Sequence, residues 1–170
     1  MKIDCGACEL RPFQAGDAPS IAELANDRDI WLNLRDRFPY PYELAHAEAY
    51  FAHVSKQNPP TSLVISVEGR AVGSISLKLG SDIERVNAEI GYWLGKPYWG
   101  RGIATAALGG MTQYALKEFK LTRVFAVPFT RNPASTRVLE KAGFIREGLM
   151  RQSAIKDGIV EDQYLYAFYA

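Results

Sequence analysis

The sequence predicts an α+β domain in which a mixed sheet of about seven strands carries helices on both faces. Three observations lead there. At 170 residues, against ~100–200 residues per domain, the chain makes one domain, large enough to bury roughly 70% of its unfolded surface. Its 48% hydrophobic and 23% charged content is globular, and no apolar run approaches the ~18 residues of a membrane span, so membrane and disordered classes drop out. The hydrophobic period also changes along the chain, giving strand, two helices, three strands, helix, strand, helix and a closing strand pair.

The elements follow in order. Glu9 to Phe13 predicts a short opening strand, ended by the turn Gln14-Ala15-Gly16. Asp17 is placed to cap a helix running to about Asn26, with Pro19 tolerated in its first turn and Ile21, Leu24 and Ala25 on one face. Residues 29–42 mix aromatics, arginines and prolines without a sustained period, as a loop or short helix with side chains to offer would. Leu44, Ala47, Tyr50, Phe51 and Val54 recur at helical spacing within a second helix from about Glu43 to Lys56. Ser62–Val67 and Ala71–Leu77 read as strands around the turn Glu68-Gly69-Arg70, and Ala88–Leu94 as a third. A helix from about Gly102 to Glu118, a strand Arg123–Val127 and a helix begun by Asn132 and stopped at Gly143 come next. Two last strands, roughly 144–153 and 159–169, meet at Lys156-Asp157-Gly158.

Composition narrows the function classes. The formal net charge of +1 announces neither a nucleic-acid nor a membrane partner. That balance is a cancellation, since residues 96–151 hold ten Lys or Arg against three Glu, a local +7 that leaves −6 for the rest. A basic half suits a polyanionic ligand; it also prompts a nucleic-acid-binding reading, which loss of DNA and RNA binding at every salt concentration would end. Met1-Lys2-Ile3-Asp4-Cys5 has no apolar segment behind a basic start, so a cytoplasmic location is expected. Cys5 and Cys8 are the two cysteines, and His46 and His53, the two histidines, fall elsewhere in a helical pattern. A zinc site lacks its remaining ligands and a thioredoxin-like motif its context, so no metal is expected and the thiols read as a reduced pair.

The segment Gly91-Tyr92-Trp93-Leu94-Gly95-Lys96-Pro97-Tyr98-Trp99-Gly100-Arg101-Gly102-Ile103-Ala104-Thr105 sets a strand end, a glycine turn and a helix start in succession. Glycine permits close backbone approach, and the free N–H groups of a helix start make an anion site suited to a diphosphate. Neither a Gly-Lys-Ser/Thr nor a Gly-x-Gly-x-x-Gly pattern is present. About thirty residues on stands Asn132-Pro133-Ala134-Ser135, ending in Gly143-Phe144.

With these motifs in this order, the chain resembles the GNAT acetyltransferase superfamily from about Leu10 to Ala167, and within it the branch that acetylates ribosomal-protein N-termini. The resemblance implies a single-domain GNAT fold, α+β, with a mixed, mostly antiparallel sheet and a splayed strand pair that holds acetyl-CoA. Residues 8–170 are assigned to this domain and residues 1–7 to an N-terminal extension. The family's diphosphate turn matches Trp99, Gly100, Arg101, Gly102, Ile103 and Ala104, with Thr105 following in the helix; Trp99 replaces the Gln or Arg usual in the superfamily, as in this branch. Tyr92, Trp93 and Leu94 match the strand whose backbone binds the pantetheine arm, one N–H polarising the thioester carbonyl. Asn132 matches a contact to the same arm, and is equally a plain helix cap.

Amine acetylation requires a neutral nucleophile, a stabilised oxyanion and a proton for the departing thiolate. An α-amine with pKa ~8 demands only a modest base, whereas a lysine amine at ~10.4 needs far more help. The tyrosine that serves as acid in much of the superfamily aligns with Leu139, which cannot donate, and Ser135 matches the serine this branch uses in its place. The glutamate some relatives carry before the final turn has no counterpart in Gln152-Ser153-Ala154. Glu89 is the remaining carboxylate on the Gly91 and Trp93 face, either a base acting through water or a structural hydrogen-bond partner. Trp31, Arg35, Tyr40 and Tyr42, with Phe38, are expected to border the acceptor groove or to cover the core. The implied activity is transfer of acetyl to an amine, first a protein or peptide N-terminus, with a small-molecule amine (antibiotic or metabolite) or a non-catalytic acyl-CoA-binding role as alternatives, in a monomer or homodimer.

Overall fold

The computed structural model describes residues 1–170. In chain order the strands and helices are β1 (Ile3–Asp4), β2 (Glu9–Arg11), α1 (Ala18–Ala25), α2 (Arg28–Leu32), α3 (Leu44–Val54), β3 (Ser62–Val67), β4 (Arg70–Leu79), β5 (Asn87–Leu94), α4 (Ile103–Glu118), β6 (Arg123–Ala126), α5 (Pro133–Lys141), β7 (Ile145–Lys156) and β8 (Ile159–Tyr169). They form one sheet of eight strands in the order β1-β2-β3-β4-β5-β6-β8-β7. The count of about seven is corrected by β1, a two-residue strand that pairs antiparallel with β2 through Ile3 and Asp4, too short to leave a periodic signal. No helix is long and apolar enough to cross a membrane.

Local chemistry explains the chain reversals. Glu68 and Gly69 take φ of 50° and 82°, and Asp157 and Gly158 take 52° and 76°. Each pair is a two-residue loop with both centres left-handed, the hairpin geometry that matches strand twist. Helix α5 ends in a double return, the Phe144 N–H donating to the Leu139 carbonyl and the Gly143 N–H to that of Glu140, both at 3.0 Å, with Gly143 at φ 89°. The expected cap at Asp17 is corrected: its side chain makes no bond to α1. It accepts both guanidinium nitrogens of Arg11 at 2.8 Å and the Gln14 N–H, because Arg11 is only 4% exposed and a buried cation needs its counter-charge.

Strand alternation places the layers. Leu10, Leu63, Ile65, Ile75 and Ile90 share one face, and each is 3% exposed or less. Helix α4 packs there, its Gly110 lying against the Leu10 side chain and Cys5. Trp93 faces the other way, its ring 5.8 Å from Phe38 in the connection after α2. Both sides join a single core cluster of 31 buried residues, so the two layers form one cooperative unit around the central strands.

Candidate active site

Strands β5 and β6 are the sheet's parallel pair, and they meet only through Asn87, Ala88 and Glu89 opposite Arg123, Val124 and Phe125. Beyond Glu89 they separate. On its other edge β5 stays paired with β4 as far as Leu94. The bonds from the Gly95 N–H to Val72 and from the Gly80 N–H to Asn87 fix which residues face β4. By antiparallel alternation Glu89, Gly91 and Trp93 turn their backbone groups to β4, while those of Tyr92 and Leu94 point into the gap. The Leu94 carbonyl is taken by the Trp99 indole N–H at 2.7 Å. The Tyr92 N–H and C=O and the Leu94 N–H are left for an extended ligand, along a cleft of roughly five residues or ~16 Å.

The cleft runs up to a glycine turn. Gly100 and Gly102 sit at φ 72° and 74°, and a Cβ at either would meet nothing within 4 Å. The left-handed backbone explains glycine there, and the open space lets a ligand approach. The first helical bond of α4 is from Ala106 to the Gly102 carbonyl, at 3.1 Å. The N–H groups of Ile103, Ala104 and Thr105 are therefore unpaired at a helix start that favours anions. The Ile103 side chain is 3% exposed and belongs to the core, so its part in the cradle is its N–H. The Arg101 guanidinium rests 5.4 Å from the Tyr98 ring centre, exposed beside the turn. Lys96 joins the turn to α2 through Asp29 at 2.5 Å. That pair holds the Asp29 carboxyl below its usual range and the Lys96 amine above.

Strand parity divides the remaining site residues between the two faces of the gap. On the α4 and α5 face the Tyr92 hydroxyl lies 3.0 Å from Ser135 Oγ. Burial pushes the Tyr92 phenol up to about 12, against a smaller opposing effect of its bond to Ser135. Asn132 Oδ1 accepts the Ser135 N–H at 3.3 Å, which fixes the first turn of α5. On the opposite face Glu89 Oε1 accepts from Arg35 at 2.6 Å.

Of the residues expected to border the acceptor, Trp31 is held against the β7–β8 hairpin. Trp31 and Tyr40 stack with ring centres 5.6 Å apart, and the Lys156 ammonium lies 4.1 Å from the Trp31 ring centre. Lys156 is 3% exposed and bonds Asp36. Arg131 donates to Glu161, Asn33 and the Leu32 carbonyl, and Arg28 pairs with Asp157. Tyr40 is exposed, whereas Tyr42 is 7% exposed and belongs to the core, packed on Phe38 and His46; burial pushes its phenol up to about 12. Lys156, Asp36, Arg131 and the Tyr92 side chain were not singled out from sequence. Parity alone, which sends Tyr92 to the face opposite Glu89, could have flagged the last. Cys5 and Cys8 are free thiols, Cys8 buried with its Sγ 3.8 Å from the Ile103 carbonyl.

The family model of the acetyltransferase (GNAT) domain matches residues 8–145. The chain belongs to the GNAT family. Among its relatives, the ribosomal-protein-serine acetyltransferase of Escherichia coli is 34% identical over 106 residues, covering 61% of this chain and 58% of that protein. The spermidine N(1)-acetyltransferase of Escherichia coli is 26% identical over 168 residues, covering 92% and 88%. The first curated relatives are matched over about half their own length. The solved structure of RimL, a ribosomal L7/L12 alpha-N-protein acetyltransferase in complex with coenzyme A, superposes with a TM-score of 0.86 at 21% identity, over 99% of this chain and 98% of that one. That is a likeness of fold, and it agrees with the α+β GNAT architecture expected from the sequence.

Proposed function

We propose that the protein is an acetyl-CoA-dependent N-acetyltransferase whose acceptor is the α-amine of a protein or peptide, with residues 8–170 as the transferase domain. The observation that carries the reading is the gap between β5 and β6. It offers unpaired backbone groups at Tyr92 and Leu94 and runs into a glycine turn that is open around Gly100 and Gly102. The residues present fit the donor. A thioester arm can add to the free edge of β5, its diphosphate resting on the N–H groups of 103–105, with Arg101 and Asn132 alongside. When bound, the donor supplies an activated acetyl carbon. The Tyr92 or Leu94 N–H stabilises the charge that develops on its carbonyl oxygen, an effect of ~3–4 kcal/mol for such donors. Glu89, on the opposite face from Ser135, receives the proton of the attacking amine through a water, and Ser135 faces the departing sulfur.

The acceptor assignment rests on charge. Around the groove Glu89, Asp36, Asp29, Asp157 and Glu161 each hold a Lys or Arg partner. A polyamine needs uncompensated carboxylates, while a peptide α-amine, partly neutral at pH 7, needs none. The ribosomal-protein-serine acetyltransferase among the relatives supports this choice. The spermidine acetyltransferase, matched over most of its length, supports a small-amine acceptor as the second reading. A screen of acetyl-CoA consumption across peptides of varied N-terminal residue, spermidine and other small amines separates them. Turnover with free N-terminal peptides and none with spermidine is expected. Turnover with small amines alone establishes the second reading, and tight acetyl-CoA binding with no acceptor makes the protein a binding module.

A further inference from the structure

We infer that Tyr92 is a positioning residue for acetyl transfer: its hydroxyl donates to Ser135 Oγ and so aims the one Ser135 hydroxyl proton at the departing sulfur. The inference rests on the transfer reading above. Tyr92 lines the gap with its backbone and sends its side chain to the α5 face, where its hydroxyl meets Ser135 at 3.0 Å. No other protein group bonds either hydroxyl. Thr136, one residue on, turns its hydroxyl back onto the Pro133 carbonyl at 2.9 Å, as hydroxyls in a helix commonly do. Ser135 does not, and Tyr92 is what holds its rotamer.

A thiolate only accepts hydrogen bonds, so a chain ending on sulfur must run from Tyr92 to Ser135 to sulfur, each bond polarising the next. The electrons balance without ionising Tyr92. As the amine nitrogen's lone pair forms the C–N bond, the C–S bond breaks and its electron pair stays on sulfur, which accepts the Ser135 O–H. The surplus amine proton leaves through the Glu89 face, and the thiolate takes a proton from solvent. Burial keeps the Tyr92 phenol protonated to about pH 12, so it remains a donor across the working range.

The test is a double-mutant cycle on the full chain, with kcat, the KM for acetyl-CoA and thermal unfolding recorded for Tyr92→Phe, Ser135→Ala and the pair. Tyr92→Phe removes one oxygen and should lower kcat about 3- to 10-fold, the reach of one hydrogen bond, with KM within about twofold. In the Ser135→Ala background it should have no further effect. Losses that multiply in the double variant, or a raised KM and lowered Tm at unchanged kcat, overturn the inference while leaving acetyl transfer intact. No transfer by the unmodified chain overturns both. Should Tyr92→Phe not fold, 3-fluorotyrosine at position 92 offers a near-isosteric, more acidic phenol. As a stronger donor it should change kcat only where Ser135 is present, and the same change in the Ser135→Ala background contradicts the inference.

Discussion

Replacing Gly102 with alanine tests the anion cradle at its least ambiguous point. Gly102 precedes α4 at φ 74°, and a Cβ there would meet nothing within 4 Å. A clash is thereby excluded, and the penalty is backbone strain. An L-residue in the left-handed region costs roughly 1–2 kcal/mol. In the free variant the turn relaxes towards negative φ and swings the N–H groups of 103–105 off their common target. Binding must then restore the strained turn, which weakens acetyl-CoA affinity by about 5- to 30-fold. Because the free variant has relaxed, its Tm should fall by less than the roughly 2–8 °C that the full strain would cost a chain of this size. Gly109→Ala is the control: it lies inside α4 with open space around its Cβ and should gain ~0.5–1 kcal/mol of stability at unchanged affinity. Isothermal titration with acetyl-CoA beside thermal melts reads both. Gly102→Ala binding as tightly as the unmodified chain would refute the turn as the diphosphate site.

Three further outcomes follow from the same geometry. Glu89→Gln should lower kcat about 100-fold with the fold intact; a kcat within a few-fold of the unmodified chain removes Glu89 as base. Asp17→Ala leaves Arg11 buried without its bidentate partner and should cost ~3–5 kcal/mol in urea unfolding, whereas a change under about 1 kcal/mol would mean the pair is relieved by water. Tyr42, Tyr92 and Tyr166 are all pushed up to about 12, chiefly by burial. Because their folded values exceed the unfolded value near 10, the folded state holds these protons longer. Its stability should be level below pH ~10 and fall as pH rises to ~12, with these tyrosines among the late ones in an ultraviolet absorbance titration; ionisation of every tyrosine near pH 10 without unfolding would contradict this.

What could be read from sequence was whatever a short run of residues decides. The short apolar runs in 62–67 and 71–77, the turns at Gly69 and Gly158, and the stop at Gly143 are local, and the structure places each within a residue or two of expectation. Gly100 and Gly102 announced a turn for the same reason. The pairings that make the site are not local. Glu89 meets Arg35 across 54 positions and Tyr92 meets Ser135 across 43, and neither pair leaves a periodic trace. Asp17 had the chemistry of a cap, yet a buried guanidinium six residues away outcompeted the helix for it. Lys156 stands in the predicted turn between the last strands, yet it is 3% exposed, its ammonium over the Trp31 ring and paired with Asp36.

Charge patterning gives the same lesson. The local +7 over 96–151 includes Arg101 beside the turn, but Arg123 is spent on Glu147 and Arg131 on Glu161. The basic half is thus partly a set of structural ion pairs, and the electrostatic attraction for a polyanion comes from fewer side chains than the sum suggests, together with the start of α4.

In the proposed complex acetyl-CoA lies along the free edge of β5 and onto the start of α4. Amide chemical shifts recorded while acetyl-CoA is added report this directly. Saturable shifts at Tyr92, Leu94 and residues 103–105, with Ser135 and Asn132 following, are the result predicted. Saturable binding that leaves those amides unmoved and perturbs another surface would contradict it.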